Sequence, residues 1–232
     1  ARLALCHGRA LTKASARHSA EESFHNDTVI VVCSVVGLTG IVPRVTTPDH
    51  EPDSWAMQLV LLRDKHHPAR QVDACEAAAR AVVFLLDDPR TQPGGPWHDA
   101  VRQWSDKRIR KIVRRASGKR WDDVQVLDGV TISQDPPPYA SPETGPARVR
   151  AFVPAPVHPQ PKQIDKLQVA GTNLPADGDS ATTEPVVTIE INPRIEMTTG
   201  KACAQCGHAA QLAHEAMAVS YTHLRAHETE AD

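Results

Sequence analysis

The chain has 232 residues, 41% of them hydrophobic but only 4% aromatic. That leaves room for one large or two small domains around an aliphatic, alanine-based core. A formal net charge of -2 excludes a globally basic nucleic-acid binder, so any such site must be a local patch. The five cysteines, Cys6, Cys33, Cys75, Cys203 and Cys206, are odd in number and scattered. They fit reduced thiols in a cytoplasm and not a secretory disulfide framework.

The stretch 1–54 carries no recognisable chemistry. Thr28 to Pro43 contains no charge, yet it falls short of the ~20 residues that span a bilayer, and glycines and a proline interrupt it. No membrane segment is expected. The stretch reads as a buried β-branched strand, as an extension outside the fold, or as non-native sequence. The chain begins with Ala and reads as a fragment.

Regular structure becomes legible at Trp55. Met57 to Leu62 is a short apolar run, as in a buried strand. Val72, Cys75, Ala79, Val82, Val83 and Leu86 recur at helical spacing and predict a helix over 71–86, ended by Asp87-Asp88-Pro89. Val101, Trp104, Ile109, Ile112, Val113 and Ala116 predict a second helix over 101–116, with Gly118 at its C-terminal cap. Its other face is basic. Residues 102–120 hold nine Lys or Arg against the single acid Asp106. Arg108, Arg110, Lys111, Arg114 and Arg115 are therefore candidates for binding nucleic-acid phosphates, weighed against an ordinary solvated helix face.

Val124 to Leu127 and Val130 to Ile132 read as short strand pieces, Arg148 to Val153 as a half-buried strand, and Gln163 to Val169 as one or two helical turns. The domain reading is one α/β unit over 55–175, a linker over 176–184, and the start of a second unit over 185–217. Laid over the first unit without gaps, with Val187 on Met57 and Gln205 on Cys75, the second unit matches its strand, loop and helix. That makes duplication a hypothesis.

The second unit holds the best site. A strand over 186–191 leads to Gly200-Lys201 and an alanine-rich helix. A glycine and a lysine at a helix start place a cation and free backbone N–H groups where a phosphate or oxyanion can bind. Lys201, Gln205 and His208 fall on one helical stripe. On spacing alone His208 is better read as an interface histidine satisfied by a backbone carbonyl. Cys203 and Cys206 form a C-x-x-C without the second pair a structural zinc site needs, so no metal is expected, although a thiol or zinc protein stands as a third hypothesis.

Met197, Gly200, Lys201, Ala204, Gln205, His208, Ala209 and Ala210 resemble, without gaps, the M-x-x-G-K-x-x-A-Q-x-x-H-A-A signature of the type II peptidyl-tRNA hydrolases. Thr198-Thr199 depart from it where the family often has a further Gly-Lys. The segment Leu127 to Ile132 resembles the family's D-A-G-x-T segment with one residue missing, and 148–168 resembles its late strand, turn and helix. The resemblance implies a small mixed β-sheet packed with helices, followed by the first strand and helix of a second similar unit. It implies hydrolysis of the ester between peptide and tRNA, no cofactor, a cytoplasmic location, and an internal pseudo-dimer or homodimer. Lys201 would bind phosphate or the oxyanion together with Gly200, Gln205 and His208 would orient that site, and Asp128 and Thr131 stand where the family carries its acid and threonine. The family's later strands do not follow Met217, and residues 218–232 read as a non-native tail, so an impaired enzyme is expected. The alternative is a non-catalytic RNA-binding module using the basic helix.

Overall fold

The computed structural model describes residues 2–5, 31–35, 38–42, 54–176, 178–182, 187–192 and 194–228, with side chains between 54 and 217. The elements in chain order are β1 (Arg2–Leu5), β2 (Val31–Val35), β3 (Leu38–Val42), β4 (Trp55–Leu62), α1 (Gln71–Leu86), α2 (His98–Ser105), β5 (Lys111–Ala116), α3 (Lys119–Val124), β6 (Gly129–Gln134), β7 (Ala147–Phe152), β8 (Ala155–Pro156), α4 (Lys162–Asp165), β9 (Val187–Ile191) and α5 (Thr199–Glu228).

The central strand is β4. Its residues from Ala56 to Leu61 are buried on both faces, which accounts for the unbroken apolar run. It pairs in parallel with β5 and antiparallel with β7, and β6 completes the order β5-β4-β7-β6. The short β8 pairs with β4 beyond β7. The result is a mixed sheet with helices on both faces. Met57, Leu59, Leu61, Val113, Val149 and Ala151 face α1 and α5. Val60, Ala116 and Phe152 pack on the other face against Trp121, Val124, Ile164 and Leu167, around α3 and α4.

Helix α1 has the limits that its apolar spacing predicts. Beyond its C-terminus, Asp88 accepts a hydrogen bond from the Arg90 N–H, and Pro89 opens a single 3-10 turn.

The helix expected over 101–116 is not formed. Its front half is α2, which buries Val101 and Trp104. Its back half is strand β5. The β-branched Ile112 and Val113 favour a pleated strand, and pairing with β4 gives that preference its reward. Val113 then faces one layer and Ala116 the other, so apolar residues three apart mark two sheet faces and not one helix face. Gly118 is not a helix C-cap. It precedes α3 with φ of 51°, a left-handed conformation that glycine adopts without strain. The strand expected at 124–127 is the end of α3 and the turn after it.

Strand β9 lies in a second sheet, of order β1-β9-β2-β3, antiparallel throughout. The described stretches upstream of residue 54 are therefore strands, and β2 and β3 form a hairpin inside the uncharged stretch. One cluster of buried residues runs from the β4 sheet through α1 into Val187 and Ile189 of β9 and Ala202, Ala209 and Ala213 of α5. Helices α1 and α5 run side by side in the same direction. Gln71 meets Thr199, Cys75 meets Cys203, and Asp87 meets His214. The contact is close because small residues line it. A Cβ placed on Gly207 would lie 3.0 Å from the Val82 side chain.

Candidate functional site

The start of α5 follows from local chemistry. Thr198 caps the helix, its Oγ1 accepting from the Lys201 N–H at 3.4 Å, and the Thr198 carbonyl accepts from Ala202 at 3.0 Å. Thr199 is fully buried and ties three segments together. Its N–H donates to the Thr172 carbonyl, its Oγ1 accepts from the Leu174 N–H, and the same hydroxyl lies 3.3 Å from Gln71 Oε1. Gln71 in turn donates from its N–H to the Pro175 carbonyl. The segment 172–175 thus stitches the N-termini of α1 and α5 side by side. Of the two threonines, Thr199 makes this stitching and Thr198 caps the helix.

Lys201 emerges from that frame exposed, in the first turn of a long helix. The helix dipole and the ammonium together favour an anion there. The expected row of free N–H groups is not available, because those of Thr199, Lys201 and Ala202 are all engaged. Gly200 is buried against Val113 and the Val169 carbonyl and serves packing. Gln205, one turn on from Lys201, is half-buried.

His208 faces inward, toward β5. Burial pulls its pKa down to about 4, the charge of Lys111 adds to this, and a hydrogen bond with the Ile109 carbonyl opposes it. The ring is neutral at pH 7, an interface histidine bonded to a backbone carbonyl, as its spacing alone indicates. The groups around it are Lys111 and Gln211, which sequence reasoning did not join to it. Lys111 Nζ donates to Gln211 Oε1 at 2.5 Å and stands 4.8 Å from the centre of the Trp104 ring. Gln211 is fully buried and donates onward to Glu215 at 2.7 Å. Desolvation lowers the Lys111 pKa to about 7, with the Glu215 carboxylate opposing. No local signal announces this network, since Lys111 and Gln211 lie 100 residues apart.

Asp128 and Thr131 belong to a different place. Thr131 on β6 sits opposite Arg150 on β7. The buried Arg150 donates to Thr131 Oγ1 at 2.8 Å and to the Leu127 carbonyl at 2.5 Å, while Thr131 donates to Gln125 Oε1 at 2.9 Å. Burial pulls the Arg150 pKa down, and the nearby Asp128 carboxylate opposes this. Asp128 also acts on Arg90, just beyond the C-terminus of α1. Lys201 stands at the opposite end of that helix. The 16 residues of α1 span about 24 Å. The side chains of Thr131 and Arg150 also point to the α3 face of the sheet, not the α5 face. Lys201, Gln205 and His208 therefore share a helix, Asp128 and Thr131 share a sheet edge, and the five do not form one site.

The basic residues are dispersed in the same way. Arg108 is exposed in the loop before β5, and Arg110 is half-buried there. Lys111 turns inward to Gln211. Arg114 points to the other face, donating to Gln58, Gln160 and the Leu167 carbonyl. Arg115 donates to the Gln168 side chain and the Gly171 carbonyl. A strand sends alternate side chains to opposite faces, so no single cationic stripe forms.

Among the described residues no helix is long and apolar enough to cross a membrane, and no group of three or more His, Cys, Asp or Glu is arranged to hold a metal ion. Comparison with protein-family models, curated proteins and solved structures returns no match for this chain.

Proposed function

We propose that this chain is a relative of the type II peptidyl-tRNA hydrolases and that the start of α5 serves hydrolysis of the peptidyl-tRNA ester. The observation that carries the reading is the placement of Lys201. It is exposed in the first helical turn after a strand and a short loop, the context in which the family signature sets its lysine. There the ammonium and helix dipole stabilise a tRNA phosphate or the oxyanion formed when water adds to the ester carbonyl. Gln205 lines the approach. His208, neutral and bonded to the Ile109 carbonyl, holds α5 against β5 and so positions Lys201. The parallel pairing of α1 with α5, in which Cys75 meets Cys203 128 residues on, supports an internal pseudo-dimer of two related units. Asp128 and Thr131 stand too far from Lys201 to act with it within one chain, so turnover is slow.

The test is release of the acylated amino acid from an N-acetylated aminoacyl-tRNA. The parent chain should cleave above the no-protein rate. Lys201→Ala should lower kcat on the order of 100-fold, the usual cost of removing one oxyanion-stabilising donor, while tRNA binding falls much less. Equal rates for parent and variant, or no cleavage by the parent, would overturn the hydrolase reading.

A further inference from the structure

The contact between α1 and α5 encloses three thiols that the hydrolase reading does not use. Cys75 on α1 and Cys203 and Cys206 on α5 are each 0% exposed, and all three are free. Cys75 Sγ lies 3.9 Å from Cys203 Sγ. Cys206, one turn further along α5, is buried beside the same Cys75 sulfur and acts on it. The small residues Ala78, Ala202, Ala209 and Ala210, all buried here, let the helices approach closely enough for thiols to meet across the contact. Metal binding is the obvious use of three thiols, but they are not arranged to hold an ion. What the geometry retains is a facing dithiol with a third thiol beside it.

We propose that Cys75 and Cys203 are a redox latch, closed by a small disulfide such as oxidised glutathione, that joins α5 covalently to α1. In the first step the Cys75 thiolate attacks one sulfur of the small disulfide. The S–S bond breaks, a mixed disulfide forms, and the first small thiol leaves with the proton from Cys75. The Cys203 thiolate then attacks the Cys75 sulfur of the mixed disulfide. The second small thiol leaves with the proton from Cys203. Two protein thiols are oxidised by two electrons and one small disulfide is reduced to two thiols, so the exchange balances.

Three features favour this pair. The parallel run of the helices holds Cys75 opposite Cys203, and the sulfurs need only close from contact to the roughly 2.05 Å of a bond. In the closed contact the neighbouring thiols of Cys203 and Cys206 lower the Cys75 pKa against the effect of burial, so of the three it is the one biased toward the thiolate that attacks first as the contact opens. Cys203 is raised, chiefly by that same interaction with Cys75, and attacks second. Because all three sulfurs are fully buried, the oxidant reaches Cys75 only when α5 parts from α1. Closure of the latch therefore reports local opening of this contact.

The test uses the full chain incubated with oxidised glutathione, then unfolded, alkylated and mapped without reduction. The expected product is a Cys75–Cys203 peptide pair with Cys206 alkylated. It should migrate faster on a non-reducing denaturing gel and show a melting midpoint raised by about 5 °C or more. Cys206→Ala should keep the cross-link and Cys203→Ala should lose it. Both variants should fold, since alanine already lines the contact, and circular dichroism checks this. Quantitative alkylation of all three thiols after prolonged exposure would overturn the proposal. So would a dominant Cys203–Cys206 pair, a dominant bond to Cys6 or Cys33, or an undiminished cross-link in Cys203→Ala.

Discussion

His208 allows the geometry to be tested through pH. In the unfolded chain the imidazole titrates near 6.5, and in the folded chain burial and the charge of Lys111 lower this to about 4. Between those values the unfolded chain binds the extra proton, so stability falls as pH falls from about 6.5 toward 4 and is fully present above that window. Linkage puts the loss between pH 7 and pH 5 at about 2 kcal/mol. The ring is only half-buried, and screening by water trims this toward about 1 kcal/mol. The perturbation is His208→Gln, which keeps a donor for the Ile109 carbonyl and cannot titrate. Urea unfolding of both proteins at pH 7 and pH 5 isolates the effect, because the other histidines and carboxylates are common to both. The parent should lose about 1–2 kcal/mol more than the variant over that range. Lys111→Met removes the neighbouring cation and should shrink the difference only in part, since burial, the larger cause, remains. Identical pH dependence in parent and His208→Gln would refute the placement of His208 against Lys111 and Ile109.

Other outcomes follow from single contacts. Gly129→Ala puts a Cβ 2.2 Å from the Ala151 carbonyl oxygen, and since backbone cannot yield as a side chain does, it should cost about 3 kcal/mol or more by chemical denaturation. Asp73→Ala removes the carboxylate that takes two hydrogen bonds from the buried Arg70 guanidinium, at 2.6 and 2.8 Å. The expected loss is about 3 kcal/mol, at the lower end of the range for broken buried pairs, because the Asp179 carbonyl also accepts from Arg70. Arg114→Met deletes bonds to Gln58, Gln160 and the Leu167 carbonyl, and should lower unfolding stability by about 2 kcal/mol. A fall in RNA affinity without any loss of stability would instead return Arg114 to a binding role.

Some of this was readable because the signal is local. The apolar spacing of 71–86 marks α1 to the residue, since one helix face must be apolar whatever it packs against. The runs at 57–62, 148–153 and 186–191 mark β4, β7 and β9 because buried strands need few polar positions. Residues 101–116 defeated the same reasoning. Apolar residues three apart fit a helix face, and they also fit the two sides of a strand that is covered on both. Pairing with β4 decided between them, and it joins Met57 to Lys111 and Leu62 to Ala116, partners far apart in the chain.

The sequence by itself determined α1, the strands β4, β7 and β9, the Gly-Lys start of α5 and the inward character of His208, because each depends on neighbours within one or two turns. Tertiary structure decided which charges stay available. Alternation along β5 sent Lys111 inward to Gln211 and Arg114 to the opposite face, so a run of cations that looks continuous in the chain is divided by the sheet. It also decided that Lys201 and Asp128 stand at opposite ends of α1, and that Cys75 meets the distant Cys203 and Cys206 in one buried contact. Those outcomes depend on which strand pairs with which and on how two helices lie together, and no window along the chain contains that information.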